Sequence, residues 1–119
     1  MQPETLQPSH TQPVDDALLQ DIVRKIVERF HPRRIMLFGS RARGEHQFDS
    51  DVDLFVEMES DDPPHERRQQ IEELFDRRWW SMDVLVYTPK EVAARRNSLV
   101  SIVPEIEAEG RVLYERPAE

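Results

Sequence analysis

The stretch from Gly39 to Asp53, GSRARGEHQFDSDVD, gathers the residues of this sequence whose types and spacing could do chemistry. Gly39-Ser40 closes a short apolar run, Arg34 to Phe38 (RIMLF). A glycine there lets a phosphate approach the backbone, a helix starting at that point would aim free N–H groups at the anion, and the Ser40 hydroxyl adds a donor. Read alone, a Gly-Ser pair is a plain strand-ending turn. Asp51 and Asp53 stand two apart at the start of a second apolar run, Val52 to Met58 (VDLFVEM), so on an extended chain both side chains leave one face. Two carboxylates this close repel each other and become favourable around a divalent cation. Oxygen-only ligands point to magnesium or manganese rather than zinc. A bare D-x-D is more simply a solvated edge, but here the pair interrupts Val52, Leu54, Phe55 and Val56, where unpaired charge costs stability. Asp83 is the lone charge in a third apolar run, Met82 to Tyr87 (MDVLVY). Beside the second run it would complete a three-carboxylate cluster; otherwise it is a strand-end aspartate facing solvent.

The elements that must position these residues follow from periodicity. Leu18, Leu19, Ile22, Val23, Ile26, Val27 and Phe30 recur at helical spacing over Val14 to His31, with Asp15 and Asp16 at the N-terminal end and Pro32 as the stop. The three apolar runs read as strands, the first two joined by an arginine-rich loop from Gly39 to Ser50. Ile71, Leu74, Phe75, Arg78 and Trp79 predict a helix over His65 to Trp80, after a loop from Ser60 to Pro64. Thr88 as N-cap with Pro89 at the first helical position predicts another helix to about Arg96. Leu99 to Ala108 reads as helical, with Pro104 forcing a kink or a fresh start, Gly110 as its end, and a short last strand over Val112 to Tyr114. The order α-β-loop-β-α-β-α-(β) predicts an α/β fold, a small mixed sheet flanked by helices. Residues 1–13 carry three prolines and one aliphatic residue, and read as a disordered tail; residues 116–119 read as a C-terminal tail.

The 119 residues suggest one domain. Charged residues make up 34% and hydrophobic ones 38% of the chain, a water-soluble globular composition with no apolar run long enough for a bilayer. There is no cysteine, hence no disulfide or thiolate metal site, and no signal-peptide pattern; the cytoplasm is the expected compartment. Sixteen basic against twenty-four acidic side chains give a net charge of −8, which argues against a nucleic-acid backbone as ligand. Arg33, Arg34, Arg41 and Arg43 nevertheless cluster without an acid among them, a local patch that suits a small anion such as a triphosphate.

Gly39-Ser40, ten residues, then Asp51-Val52-Asp53 resembles the signature of the DNA polymerase β-like nucleotidyltransferase superfamily. GSRARG over Gly39 to Gly44 and SDVDL over Ser50 to Leu54 are similar to its minimal branch, the MNT domains, and the likeness extends through Asp83 and Thr88-Pro89 to EGRVLYE at Glu109 to Glu115. It covers about residues 14 to 115. The resemblance implies the nucleotidyltransferase (polymerase β-like palm) fold. It implies that Asp51, Asp53 and Asp83 bind two magnesium ions, manganese being possible, and that Asp83 helps deprotonate the attacking hydroxyl. It implies that Gly39 and Ser40 hold the triphosphate of ATP, with Arg41 and Arg43 as phosphate contacts, although a solvated loop arginine is an equal reading for Arg43.

Larger members of that superfamily add a helical domain that grips the acceptor; here a partner would present it, or a homodimer or hetero-oligomer would build the missing wall. In HEPN–MNT pairs the MNT protein is the antitoxin and transfers AMP from ATP to a tyrosine of the HEPN ribonuclease toxin. The resemblance therefore implies a HEPN-type toxin as partner. Two alternatives stand beside it: a non-catalytic module that neutralises a toxin by contact alone, and a nucleotidyltransferase acting on a small molecule or an RNA end. Elsewhere the sequence reads more plainly. His10, His31, His46 and His65 show no metal-ligand spacing. Trp79 and Trp80 read as core plus interface, Tyr87 and Tyr114 as structural. The Arg67-Arg68 and Arg77-Arg78 pairs read as a solvated helix face balanced by Glu66, Glu72, Glu73 and Asp76.

Overall fold

A computed structural model describes residues 14–47 and 50–117 of the chain; the expected N-terminal tail and the last two residues of the expected C-terminal one lie outside them. Helix α1 (Asp16–Phe30) starts where Asp15 accepts a hydrogen bond from the Leu18 N–H at 2.9 Å. It ends at His31, a left-handed residue (φ 50°) whose N–H returns to the Val27 carbonyl, followed by Pro32. Strand β1 (Arg34–Phe38), a single-turn helix α2 (Ser40–Arg43), strand β2 (Val52–Glu57), helix α3 (Pro64–Glu72), strand β3 (Met82–Tyr87), helix α4 (Pro89–Arg95), helix α5 (Val103–Glu109) and strand β4 (Arg111–Glu115) follow. No helix among the described residues is long and apolar enough to cross a membrane.

The four strands lie in the order β3-β2-β1-β4, giving the mixed sheet flanked by helices that the sequence predicts. β1 is antiparallel to both β2 and β4, while β2 and β3 are parallel. A parallel pair needs a crossover, and α3 supplies it. Alternation gives the sheet two different faces. Ile35, Leu37, Leu54, Val56, Val84 and Val86 are buried with Leu19, Ile22 and Ile26 of α1 and Ile71 of α3. On the other face Met36 and Phe55 pack with Val92 of α4 and Val103 and Ile106 of α5.

Three expectations are corrected. The helix expected over His65 to Trp80 stops at Glu72 and passes through a 3-10 turn, Glu73–Phe75. Both Phe75 and Trp80 are buried, their rings 5.7 Å apart. Residues five apart on one α-helix point about 140° away from each other, so a continuous helix could not bury both. The helix expected from Leu99 begins at Val103, with Pro104 in its first turn, where the missing N–H costs nothing, and Ser101 Oγ accepting the Val103 N–H at 3.1 Å. Leu99 and Val100 are fully exposed in the turn before it. Arg67 does not lie on a solvated face. It is buried, donates to the Asp62 carbonyl at 2.8 Å, and forms a forked pair with Glu91 at 2.8 and 3.3 Å.

Glu91 is also the acid of a capping box with Thr88, so one carboxylate stops the Arg67 charge and starts α4. Removing it leaves a buried guanidinium unpaired and an N-terminus uncapped. Glu91→Ala should therefore cost about 2–3 kcal/mol in chemical denaturation, whereas Leu99→Ser, at a fully exposed position, should stay within about 0.5 kcal/mol.

Candidate active site

The sheet register decides which of the predicted residues meet. Asp53 pairs with Phe38 across the antiparallel ladder and with Asp83 across the parallel one. Paired residues in a sheet share a face. Asp53 and Asp83 therefore stand side by side on the face that carries Phe55, next to the end of β1, where the chain turns at Gly39. Asp83 is exposed, Asp53 is half-buried, and Asp51 is exposed just before β2.

Gly39 has φ 77° and ψ −157°, a conformation that side chains resist, and a Cβ at this position would overlap a carboxylate oxygen of Asp53. A glycine is thus required twice, by its backbone and by its neighbour. The Gly39 carbonyl accepts from the Ala42 and Arg43 N–H groups, which winds Ser40–Arg43 into one helical turn inside the stretch expected to be a loop. Gly44, at φ 75°, closes that turn.

Arg41 and Arg43, two apart on a helical turn, face different ways. Arg41 is buried and its guanidinium grips the Ser50 carbonyl through two donors, at 2.8 and 3.2 Å. Ser50 Oγ in turn accepts the Gln47 N–H at 2.8 Å. The glycine-serine turn is thereby tied to the residue before Asp51. The sequence reading missed this tether; its signal was the i, i+2 spacing of two arginines that look alike in GSRARG. Arg43 is exposed and pairs with Glu45 at 2.9 Å, an arrangement that holds it loosely. Glu105 and Glu109 of α5 join Phe38, Gly39 and Arg43 around a small cleft, a second contribution that no motif announced.

The electrostatics of the two sheet ends differ. At the end of β2, buried Glu57 meets Arg34 at 3.0 Å, and Arg34 also reaches Glu107 at 2.8 Å, where Arg96 joins it. At the start of β2 the acids meet one another. Burial pushes the Asp53 carboxyl up to about 6, and the charges of Asp83 and Asp51 push the same way, against weaker opposition from Arg41 and Arg43. Burial lowers the Arg41 pKa, and attraction to Asp53 and Asp51 resists that. Among the described residues no three acids or histidines stand close enough together to hold a metal as they are. The chemistry of the donors nevertheless suits a hard divalent cation: Asp53 and Asp83 are paired across the parallel ladder with Asp51 two residues before, all three offer oxygen only, and Asp53 resists ionisation first through burial and then through the other two charges.

The profile of the family described as nucleotidyltransferase domain matches residues 19–114. The chain belongs to this family. The nucleotidyltransferase fold is also that of solved structures. One is a protein assigned as a nucleotidyltransferase from Sulfolobus solfataricus, 20% identical, with a TM-score of 0.58 over 84% of this chain and 79% of that one. Another is a toxin–antitoxin with AMP-PNP, 20% identical, TM-score 0.55, over 82% and 73% of the two chains. A third is a tyrosine-to-alanine mutant of the toxin–antitoxin MntA–HpeT, 19% identical, TM-score 0.53, over 86% and 73%. At such identities the likeness is one of fold. A search of curated proteins finds no match.

Within this nucleotidyltransferase domain the raised Asp53 pKa has a stability consequence. The folded value of about 6 lies above the ordinary 3.8, so the cost of ionising Asp53 is absent below 3.8, grows between the two and is complete above about 6. In metal-free buffer at pH 8, Asp53→Asn should raise the melting temperature by about 2–5 °C, roughly 1 kcal/mol once solvent screening of a half-exposed group is allowed for. The gain should vanish towards pH 4. Melting curves in EDTA across that interval check it, and a variant that melts lower than wild type at pH 8 would contradict it.

Proposed function

We propose that this nucleotidyltransferase domain transfers AMP from ATP to a tyrosine hydroxyl of a HEPN-type toxin, acting as its antitoxin. The observation that carries the transferase part is the in-register pairing of Asp53 with Asp83 beside the Gly39-Ser40 turn. The partner part is supported more distantly, by two toxin–antitoxin structures of the same fold, one of them described with AMP-PNP.

In this reading Asp51, Asp53 and Asp83 hold two divalent cations, magnesium or manganese. Bound there, the ions supply charge neutralisation for the triphosphate and a lowered pKa for the acceptor hydroxyl. The chain's own residues do the rest. The Gly39-Ser40 turn offers backbone N–H groups and the Ser40 hydroxyl to the phosphates, with no side chain at Gly39 to keep them away. Arg41, through the Ser50 carbonyl, fixes the distance between that turn and Asp51 and is a positioning residue. Arg43 can leave Glu45 for a phosphate oxygen, because an exposed pair costs little to break. The tyrosine oxygen attacks the α-phosphorus, the new P–O bond forms as the bond to the α–β bridging oxygen breaks, pyrophosphate leaves with that electron pair, and the proton passes to Asp83. The protein contributes position and charge rather than covalent chemistry.

The test is label transfer. With ATP labelled in its α-phosphate, magnesium and the partner toxin, wild type should label the toxin and neutralise it. Asp51→Asn with Asp53→Asn should lose label transfer by at least roughly a thousandfold, the loss expected when several kcal/mol of charge stabilisation go, while still co-purifying with the toxin. Neutralisation undiminished in that variant would make the protein a contact-only module. Label on a small molecule or an RNA end, with none on protein, would make it a transferase of another kind.

A further inference from the structure

Among the described residues, the large hydrophobic side chains left in solvent are Leu99, Val100 and Ile102, together in the turn before α5, and Val112 on β4. Leu99 and Val100 are fully exposed and belong to neither side of the core. Ile102 caps α5, and Glu105 and Glu109 follow it at spacings of three and four, so the three share one stripe of the helix. All three are exposed, whereas Val103 and Ile106 are buried with Met36 and Phe55. Helix α5 therefore lies on the sheet face that carries Asp53 and Asp83. Its end is held against β1: a Cβ at Gly110 would press on the Leu37 carbonyl at 3.1 Å. There Glu105 and Glu109 border the same small cleft as Gly39 and Arg43. The outer stripe of α5 thus leads from an apolar tip to the glycine-serine turn.

We propose that this stripe, from Leu99 and Val100 through Ile102 to Glu105 and Glu109, is the surface that holds the acceptor protein, and that the partner meets it with an apolar recess bordered by lysine or arginine. The inference rests on the proposed function in one respect, that the acceptor hydroxyl belongs to a folded protein. An interface of standard size covers about 800 Å² of each partner, a patch roughly 30 Å across. Helix α5 has seven residues and is about 10 Å long. A partner that sets a side chain against the Asp53–Asp83 pair on this face has the reach to cover α5 and the tip as well.

Charge identifies the partner's chemistry. Arg95 and Arg96 precede the tip but are engaged, Arg96 with Glu107 at 2.9 Å and Arg95 over the Tyr87 ring. Across the cleft Arg43 is paired with Glu45. Glu105 and Glu109 have no ion pair among the described residues, and neither have Asp51 and Asp83 beyond them. The unmatched charge between the tip and the site is thus negative, which repels a nucleic-acid backbone and attracts basic side chains. A second copy of the chain, with its net charge of −8, brings more acid to the same place. The division of labour is the usual one: charges steer the encounter, and apolar anchors that lose their water hold the complex.

The test is the binding kinetics of the HEPN-type toxin on the full chain, without nucleotide, so that binding does not depend on transfer. Leu99→Ser with Val100→Ser should speed dissociation by roughly tenfold or more, with melting and ATP binding unchanged. Glu105→Gln with Glu109→Gln should slow association by roughly threefold or more and flatten its dependence on salt. In label transfer the serine pair should raise KM for the toxin and leave kcat near that of wild type. Toxin held as tightly by the serine pair as by wild type would overturn this surface and leave the transfer reading, tested at Asp51 and Asp53, untouched. Toxin held through this surface yet never labelled would do the reverse. A toxin that wild type does not bind would overturn the surface too, as would a serine pair that loses self-association in place of toxin binding.

Discussion

Asp53 is wedged where burial and two neighbouring acids oppose its charge more strongly than Arg41 and Arg43 favour it. Asp83 lies directly beside it across the parallel ladder, Asp51 precedes it by two residues, and Gly39 gives up its side chain to make room for the carboxylate. Nothing in the hydrophobic economy of a small sheet calls for this. An isoleucine at position 53 would extend the cluster around Phe55, and an alanine at 39 would need a different turn. The arrangement is intelligible as a place where negative charge is gathered in advance of a cation and a phosphate.

Much of the remaining structure serves to hold that patch steady. The parallel pairing of β2 and β3 requires a crossover, and the crossover helix is anchored by Arg67, whose buried guanidinium meets Glu91 at the start of α4. The antiparallel pairing of β1 and β2 brings Gly39 beside Asp53, and Arg41 binds the turn to Ser50. At the far end of the same strands Glu57 and Glu107 are matched by Arg34 and Arg96, so negative charge is neutralised there and left concentrated at the end that the proposed function uses.

The candidate site is easier to read in the sequence than the scaffold around it. Gly39-Ser40 and Asp51-Val52-Asp53 could be placed because strand alternation and strand-end glycines act locally. Asp83 needed one non-local fact, that β2 and β3 are neighbours, which apolar runs imply but do not prove. Arg67 looked like its neighbour Arg68, because burial of an arginine depends on a glutamate 24 residues away. The end of α3 was misplaced for a related reason: helical spacing up to Trp79 is real, yet tertiary packing of Phe75 and Trp80 overrides it. The start of α5 was misplaced because Leu99 and Val100 fit an apolar stripe that the fold leaves in solvent.

The proposed chemistry requires the carboxylates at 51, 53 and 83 to take up a cation together, and paramagnetic broadening of amide resonances by manganese, in the presence of a nucleoside triphosphate, reads this without any assay of transfer. Broadening should centre on Gly39, Ser40, Asp51 to Asp53 and Asp83, spare Glu57 and Tyr87 at the other end of the strands, and fade when Asp53 is replaced by asparagine. Broadening centred on the Glu57–Glu107 end, or a pattern unchanged by that replacement, would contradict it.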